Sequence, residues 1–410
     1  MSEWPFHPLS AFVDPKRSIC YGIVQPGSKT ENGTPIIRVN NFQGGSLNTD
    51  EVLRVEPSIE QKYTRSRLRG GEILLTLVGT MGLTAIVPKE LAGWNVARAV
   101  GVVPLRSDAD VRWINFVLRS GPAQEFIKTR ANTTVQATFN LRDLALLPIP
   151  LPPNPMRSSM TALLSGLDDK IELNRRMNET LEAMARAIFK DWFVDFGPTR
   201  AKAESRPPYL APHIWSLFPD RLDDEDKPEG WPLGLLKDII VLQRGFDLPK
   251  SGRTDGDYPV IAASGVNGTH IEAKVSGPGV ATGRSGILGE TFYIHDDFWP
   301  LNTSLWVKEF PKSSPVHAYF LIQTLDFASF NSGSAVPTLN RNHVHSLLMP
   351  ITPKGIVQAF DDVVEPLLKQ QRHNELETRT LAQTRDLLLP KLVSGEIRLR
   401  DAEKAVEAVA

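Results

Sequence analysis

Residues 174–196 read NRRMNETLEAMARAIFKDWFVDF, and residues 374–397, of similar character, read NELETRTLAQTRDLLLPKLVSGEI. In and before each stretch, apolar side chains recur at alternating steps of three and four residues, which predicts a coiled-coil helix. The apolar stripes turn polar at Asn174, Asn178, Gln371, Asn374 and Thr378. We therefore expect the two helices to pair antiparallel, with these polar side chains meeting near the middle.

The two helices belong to a longer repeat. With an offset of 200 residues and no gaps, Thr138 matches Thr338, Pro150 matches Pro350 and Ile188 matches Leu388. Chance does not keep register through a strand, a proline stop and a helix. The chain is therefore predicted to be a tandem duplication of a globular part followed by a long helix.

The globular parts are predicted to be mainly β, because short β-branched runs alternate with Gly, Asn and Pro turns. The runs cover residues 36–39, 73–78, 85–87, 100–103, 260–263, 280–282, 291–294 and 305–307. Small helices are expected at residues 111–118, 123–129 and 315–325. The predicted fold class is α+β, with two mainly β domains, each followed by a long helix, related by pseudo-twofold symmetry.

Domain boundaries follow from these elements. The first β domain covers residues 1–155, the central helix 156–196, a proline-rich acidic linker 197–230, the second β domain 231–355, the C-terminal helix 356–397 and a tail 398–410. The linker region, extended to Pro232, carries seven prolines and the acidic run 223–226, so we expect neither a helix nor a strand there.

Composition narrows the class of protein. A chain of 410 residues, 41% hydrophobic and 23% charged, is globular and long enough for more than one core. Its longest apolar runs are far shorter than the ~20 residues of a spanning helix. The first residues, MSEWPFHPLS, lack a signal pattern, and the single cysteine, Cys20, suits a reducing compartment. We expect a cytoplasmic protein with no membrane partner.

No catalytic or metal-binding pattern stands out. Cysteine and histidine lack zinc spacing, and the Gly-x-Ser-x-Gly and His-Glu-x-x-His motifs are missing from the sequence. Asp220, Glu225 and Lys227 imitate the acidic site of a nuclease, but they lie in the linker rather than on adjacent strands. We expect no catalytic residue, metal or cofactor in this chain. Two alternative functions stay open: a metal-dependent nuclease, and a coiled-coil scaffold that does not bind DNA.

Candidate DNA contacts form a basic run in the first domain and several polar turns in both domains. The run contains Lys62, Tyr63, Thr64, Arg65, Arg67 and Arg69. The remaining candidates are Thr80, Arg98, Thr134, Gln136, Arg284, Ser285, Asn302, Thr303, Ser334, Thr338, Asn340, Arg341, Asn342 and His343. Lys and Arg neutralise phosphates, while amides and hydroxyls also bond base edges. Ordinary solvated turns carry the same residue types, so it stays open whether these residues contact DNA or only form turns.

The chain resembles the specificity subunit of type I restriction–modification systems over essentially its whole length. LNRRMNETLEAMARAIFKDWFVDF (173–196) and TRDLLLPKLVSGEI (384–397) resemble the central and C-terminal regions of that family. GVATGRSGILGETFYIHDDFWPLNTSLWV (279–307) is similar to the Gly-rich turn and Trp-x-x-Asn-Thr of its target-recognition domains. The first domain departs from this pattern, since WNVAR (94–98) stands where WPLNT stands in the second.

The resemblance implies a non-catalytic subunit whose two target-recognition domains read a bipartite, asymmetric site in double-stranded DNA. Two modification subunits, which carry S-adenosylmethionine and methylate adenine, are expected to dock on it. Restriction subunits, which use ATP and Mg²⁺, are expected to complete the complex. The expected docking residues are Arg186, Phe189, Lys190, Trp192, Phe193, Phe196, Leu389 and Lys391. The alternative for the aromatic residues is that they anchor the helix on its own domain.

Overall fold

The computed structural model describes residues 4–131, 138–327 and 338–408. The chain forms two compact units, which are not the two halves of the sequence. Unit 1 comprises Met1–Leu173 and Glu377–Ala410, and unit 2 comprises Asn174–Leu376. Each long helix therefore contributes one part to unit 1 and the other part to unit 2.

The secondary-structure elements, in chain order, are these. The strands are β1 Phe6–Pro8, β2 Cys20–Tyr21, β3 Thr34–Ile37, β4 Phe42–Gln43, β5 Ser46–Leu47, β6 Leu53–Val55, β7 Ile73–Thr76, β8 Thr84–Ile86, β9 Asn95–Val96, β10 Val100–Val103, β11 Pro148–Pro150, β12 Leu233–Leu235, β13 Val241–Arg244, β14 Tyr258–Ala262, β15 Gly265–His270, β16 Gly279–Gly283, β17 Thr291–Ile294, β18 Trp299–Pro300, β19 Ser304–Glu309 and β20 Leu348–Pro350. The helices are α1 Pro57–Glu60, α2 Val111–Arg119, α3 Gly121–Arg130, α4 Leu141–Ala145, α5 Asn154–Phe189, α6 Gly197–Ala203, α7 Pro212–Trp215, α8 Leu236–Ile239, α9 Pro315–Gln323, α10 Arg341–His345, α11 Lys354–Ser394 and α12 Leu399–Glu407. Short 3-10 helices lie at Leu9–Phe12, Val39–Asn41, Gln61–Ser66, Lys89–Leu91 and Lys250–Gly252.

Unit 1 centres on a four-stranded antiparallel sheet of order β2-β10-β7-β8. Successive side chains of a strand point to opposite faces. Ile73 and Leu75 of β7 accordingly pack in one core with Trp113 of α2, while Leu74 packs in a different core with Val102 of β10. Because both faces of the sheet are covered, its strands are almost continuously apolar.

Unit 2 contains an antiparallel sheet of order β13-β19-β16-β17, built in the same way. Val280 of β16 packs with Val316 and Phe320 of α9, while Ala281 packs on the other face with Ile261 of β14. A three-stranded sheet accompanies each large sheet, β6-β3-β9 in unit 1 and β15-β14-β18 in unit 2. The pairs β3–β9 and β14–β18 are both parallel. The strand orders of these sheets therefore correspond between the two units, and unit 1 has the two-stranded sheet β4-β5 in addition.

The two long helices begin close to the expected positions. α5 begins at residue 154 and α11 at residue 354, and a single π-helical turn, Lys190–Val194, follows α5. α11 ends before Gly395, whose φ of 80° is a left-handed conformation that stops a helix and suits glycine. Among the described residues, no helix has both the length and the apolar character required to cross a bilayer.

In unit 2, the polar positions of α5 and α11 hydrogen-bond to one another. Asn178 Nδ2 donates to the Gln371 carbonyl oxygen at 3.2 Å, and Gln371 Nε2 donates to the Asn178 carbonyl oxygen at 2.9 Å. Asn374 Nδ2 donates to Asn178 Oδ1 at 2.8 Å, and Asn174 Nδ2 donates to the Asn374 carbonyl oxygen at 3.4 Å. Since the residue numbers rise along one helix and fall along the other, these two segments run antiparallel.

In unit 1, the beginning of α5 contacts the end of α11 through apolar and ionic groups. Leu164 and Leu388 belong to the same core. Arg385, at a stripe position of α11, lies 2.7 Å from Asp168 of α5, and Asp168 also lies 2.6 Å from Arg119 of α2. One carboxylate thus holds three helices together through two guanidinium groups.

The segment between the repeats is folded, and the prediction of a structureless linker at residues 197–230 is wrong. α6 and α7 lie there, with Pro198 and Pro212 in their first turns. A proline at that position removes only an amide that has no helical acceptor, so it starts a helix instead of breaking one. Ile214, Phe218 and Trp231 are buried in the core of unit 2, which fixes the segment on that unit.

Candidate nucleic-acid interface

The basic run of the first domain begins on a 3-10 helix, where part of it forms internal contacts. Arg67 donates from Nε and Nη2 to the two carboxylate oxygens of Glu60, at 2.9 and 2.5 Å. This hydrogen bonding outweighs burial and lowers the pKa of the Glu60 carboxyl group. Asn95 also donates to Glu60, and Tyr63 packs on a small apolar core. Tyr63 and Arg67 therefore stabilise the turn, and the prediction that they contact DNA is revised.

The exposed members of the run face a concave surface of unit 1. A cavity of about 740 Å³ is lined by five cationic side chains, those of Lys16, Arg17, Arg65, Arg67 and Arg69. Arg17 lies 2.6 Å from the buried carboxylate of Glu72, and Arg67 is bound to Glu60 as described above. The other three cations, Lys16, Arg65 and Arg69, are exposed, and they are termed the basic surface below.

The basic surface combines two segments that are distant in the sequence. Arg65 Nη2 donates to Ser18 Oγ at 2.8 Å, across 47 residues of chain. Lys16 was not predicted from the sequence, because a single short run, Lys16-Arg17-Ser18, was its only signal. Thr64 also lines this cavity, whereas Lys62 is exposed outside the lining. A concave group of like charges concentrates potential and attracts polyanions such as the DNA backbone.

Five predicted contacts of unit 2 are brought together by the sheet: Arg284, Ser285, Asn302, Thr303 and Thr338. The amides of Arg284 and Ser285 donate to the Thr303 carbonyl oxygen at 2.9 and 3.1 Å. Arg284 Nη1 donates to the Asn302 carbonyl oxygen at 3.3 Å. Ser285 forms an antiparallel bridge with Thr338. The turn after β16, the turn before β19 and the closing segment thus form one polar site.

All four residues of the string Asn340–His343 are exposed, and one of them also has a structural role. Asn340 caps α10, because its Oδ1 accepts the Asn342 amide at 3.0 Å. Asn140 caps α4 of unit 1 in a similar way, accepting the Asp143 amide at 2.8 Å. The role of Asn340 is therefore revised from DNA contact to helix cap. Arg341, Asn342 and His343 are exposed.

In unit 1, Thr80 and Arg98 are both exposed. The Thr80 carbonyl oxygen accepts a hydrogen bond from Thr76 Oγ1 at 2.6 Å. Arg98 lines a second cavity, of about 540 Å³, together with Tyr21 and Val24. Three further candidates, Thr134, Gln136 and Ser334, lie outside the described residues.

The aromatic end of α5 lies in the core of unit 2. Phe189 and Trp192 are each 2% exposed, and both rings contact Phe360 of α11. Phe193 and Phe196 are half-buried and pack against the same core. The prediction that Phe189 and Trp192 hold a partner subunit is therefore corrected, because their side chains have almost no surface to offer. The alternative interpretation, an anchor of the helix on its own domain, describes their contacts.

The other expected docking residues are distributed differently. Leu389 is 4% exposed in the core of unit 1, so its assignment is corrected as well. Arg186 and Lys190 are exposed and pair with Glu182 and Asp195 respectively. Lys391 is half-buried. Arg186 and Lys190 remain accessible for a partner.

Three acidic residues of the segment 197–230, Asp220, Asp223 and Glu225, pair with lysines. Lys227 Nζ contacts Asp223 and lies 3.3 Å from Glu225, and Lys202 Nζ lies 3.1 Å from Asp220. The hydrogen bond from Lys227 lowers the pKa of the Asp223 carboxyl group. Within residues 4–131, 138–327 and 338–408, no group of three or more His, Cys, Asp or Glu side chains is arranged to hold a metal ion. These acids therefore fix the local turn.

Comparison with known proteins shows what this chain is similar to. Residues 24–183 match the family described as type I restriction modification DNA specificity domain. The chain is also 24% identical, over 423 aligned residues, to the type I restriction enzyme MjaIX specificity subunit of Methanocaldococcus jannaschii, an alignment that covers 92% of each chain. The chain therefore carries a region that matches the type I DNA specificity domain family, and it is similar in sequence to type I specificity subunits.

Two further known proteins are similar to this chain in sequence or in fold. The type I restriction enzyme EcoBI specificity subunit of Escherichia coli is 30% identical over 189 residues, which cover 46% of this chain and 37% of that subunit. Among solved structures, the crystal structure of the type I restriction–modification S subunit from M. genitalium aligns with a TM-score of 0.56 and 16% identity, covering 95% of this chain and 96% of that one. The α+β fold expected for a specificity subunit is thus confirmed.

Proposed function

We propose that this chain is the non-catalytic DNA-specificity subunit of a type I restriction–modification complex, in which each unit reads one half of a bipartite, asymmetric site. Support comes from the equal strand orders of the two units, which present different side chains on corresponding turns. One fold with two sets of side chains suits two different half-sites. The basic surface adds a place for the DNA backbone in unit 1.

We also propose that α5 and α11 form an antiparallel coiled coil that sets the spacing between the half-sites. The hydrogen bonds between Asn178 and Gln371 support this, because polar side chains at stripe positions specify the register of a coil. Inserting one heptad into both helices adds ~10 Å of helix. That length equals about three base pairs of DNA, so the recognised spacer is expected to lengthen by about that amount.

The partners in this proposal are double-stranded DNA, two modification subunits and restriction subunits. The modification subunits would carry S-adenosylmethionine, and the restriction subunits would use ATP and Mg²⁺. The exposed side chains of Arg186 and Lys190 offer polar contacts for such a partner on α5 and the turn that follows. The relatives named above are specificity subunits of type I restriction enzymes, which supports this assembly.

The proposal is tested by purifying the full chain with a type I modification subunit and supplying S-adenosylmethionine. Sequencing of methylated DNA is expected to show adenine methylation at one bipartite sequence, and none with either subunit alone. Equal affinity for the selected and unrelated duplexes at physiological salt would refute the assignment.

A second experiment addresses the division of labour between the units. Transferring residues 231–350 into another specificity subunit is expected to transfer one half of the recognised sequence and to leave the other half unchanged. A change in both halves would contradict independent reading by the two units.

A further inference from the structure

The two units share one backbone site that carries different side chains. In unit 1, the Arg98 amide donates to the Ile23 carbonyl oxygen at 2.8 Å, and in unit 2 the Asn302 amide donates to that of Phe246 at 3.0 Å. Both pairs lie beside parallel bridges, Ile23–Ala97 and Phe246–Leu301. Arg98 therefore occupies the position of Asn302, one residue away from the alignment that the two tryptophans suggest.

The closing segment confirms this correspondence. The Phe139 amide donates to the Leu77 carbonyl oxygen at 2.9 Å, and the Leu339 amide donates to that of Arg284 at 2.8 Å. The next residues form the bridges Val78–Thr138 and Ser285–Thr338. Leu77 and Val78 thus correspond to Arg284 and Ser285.

Two glycines keep the backbone of this site compact in both units. A Cβ atom at Gly22 would overlap the Val96 carbonyl oxygen, and one at Gly245 would overlap that of Leu301. Gly22 allows the segment before Ile23 to lie against Val96 of β9. Gly245 allows the segment before Phe246 to lie against Pro300 of β18 and against Leu301, the residue after that strand. The same positions in the two units therefore have the same backbone neighbours.

The side chains at these positions change chemical class between the units. Unit 1 has Tyr21, Val24, Leu77, Val78 and Arg98, and unit 2 has Arg244, Asp247, Arg284, Ser285 and Asn302. In unit 1, the cation of Arg98 stands in a cavity whose other side chains are largely apolar. In unit 2, Asn302 Nδ2 donates to Asp247, which also lies 3.5 Å from Arg244. The two units therefore present chemically different side chains from the same backbone positions.

We propose that this site reads base edges, and that Arg98 binds a guanine in the half-site recognised by unit 1. An exposed guanidinium donates two parallel hydrogen bonds to guanine O6 and N7 in the major groove. The apolar side chain of Val24, 38% exposed beside it, suits the methyl group of a thymine. The polar set of unit 2 selects different bases. This inference rests on the proposed function of the chain as a DNA-specificity subunit.

The arrangement differs from that of the basic surface. There, five cationic side chains line one cavity, as suits phosphates, which accept from any donor and carry no sequence information. At the second cavity, Arg98 is the one cation among the lining residues that the structure describes. A single cation among apolar groups is suited to one base pair rather than to the backbone.

The test is the selection of bound duplexes from a library with both half-sites randomised, using the full chain together with a modification subunit. The wild type is expected to require guanine at one position of one half-site. Arg98→Ala is expected to lose that preference by about 5- to 150-fold while keeping the other half-site. Lys128→Ala, an exposed cation of α3 in the same unit, is the matched control and is expected to change neither half.

The possible results distinguish base reading by Arg98 from a phosphate contact and from failure of the proposed function. Retention of the second half-site shows that the Arg98→Ala variant is folded. A uniform loss of affinity for all sequences, with a salt slope smaller by about 0.9, would identify a phosphate contact and overturn base reading by Arg98. An unchanged guanine preference would also overturn it. If the wild type selects no bipartite sequence, the proposed function itself fails.

Discussion

Replacing Lys16, Arg65 and Arg69 together by alanine removes the exposed charges of the basic surface and leaves its framework intact. Arg17 and Arg67 stay in place, because they neutralise the carboxylates of Glu72 and Glu60. The three replaced side chains are exposed, so the free energy of unfolding is expected to change little. The expected effect is on DNA binding and its dependence on salt.

The magnitude follows from counterion release. Each phosphate neutralised by a cation contributes about −0.9 to the slope of log K against log salt concentration. If each of the three cations neutralises one phosphate, the triple variant has a slope smaller by about 2.7. Between about 50 and 200 mM salt, the wild type then loses about 40-fold more affinity than the variant does.

The assay is fluorescence anisotropy of a labelled duplex, titrated with the full chain at several salt concentrations. The control is the triple variant Lys128→Ala, Arg400→Ala and Lys404→Ala, which removes three exposed cations of unit 1 outside this surface. Both variants change the net charge equally, so a general field effect would alter both slopes alike. The role of the basic surface would be refuted if the two variants had equal salt slopes. It would also be refuted if the variant lacking Lys16, Arg65 and Arg69 kept the salt slope of the wild type.

Three further outcomes concern stability and are measured by urea unfolding. Gly245→Ala is expected to destabilise unit 2 by about 1–3 kcal/mol, because the new methyl group overlaps the Leu301 carbonyl oxygen; Gly252→Ala, in open space, is the control, and equal effects would contradict the argument. Asn374→Leu is expected to cost about 1–3 kcal/mol, since it leaves Asn178 Oδ1 of α5 and Gln370 Nε2 of α11 without the Asn374 side chain as their partner; a more stable variant would contradict a stabilising role for these hydrogen bonds. Burial raises the pKa of Asp361 to about 6, above its unfolded value of about 3.9. The free energy of unfolding that the protonated carboxyl group contributes is therefore complete below about pH 4 and is lost as the pH rises through about 6. Asp361→Asn should lack this loss, and parallel curves of unfolding free energy against pH for the two proteins would exclude a role for Asp361.

The long helices and the repeat were predictable because their signals are regular. A step of three and four residues follows from helix geometry alone, and a fixed offset survives any folding of the intervening chain. β10 at Val100–Val103 and β17 at Thr291–Ile294 have the predicted bounds, since each is a short β-branched run between turns.

The errors came from properties that depend on tertiary context. A proline breaks a helix or begins one according to its position, and the composition of residues 197–230 does not show which. An apolar ring such as Phe189 looks the same in a sequence whether its own core or a partner covers it. Its contact with Phe360 joins residues that are far apart in the chain.

The basic surface and the proposed base-reading site were predicted only in part. Arg65 and Arg69 were recognised as part of a run, whereas Lys16 joins them through a contact between distant segments. Arg98 was aligned one residue away from its structural counterpart, Asn302, because Trp94 and Trp299 suggested a match that the backbone hydrogen bonds do not follow. Pairing between strands is non-local, so residue patterns alone do not fix it.

The interrupted course of unit 1 has a consequence for the synthesis of the protein. A ribosome that has just added Leu376 has made every residue of unit 2, but unit 1 still lacks its second segment. That segment supplies Leu388, Leu392 and Val393 to a core built mainly from the first half of the chain. A premature stop after residue 376 is therefore expected to leave unit 1 incomplete, although its first segment was translated before unit 2, and to keep every residue of unit 2. Completion of unit 1 waits for the end of α11 to emerge from the ribosome.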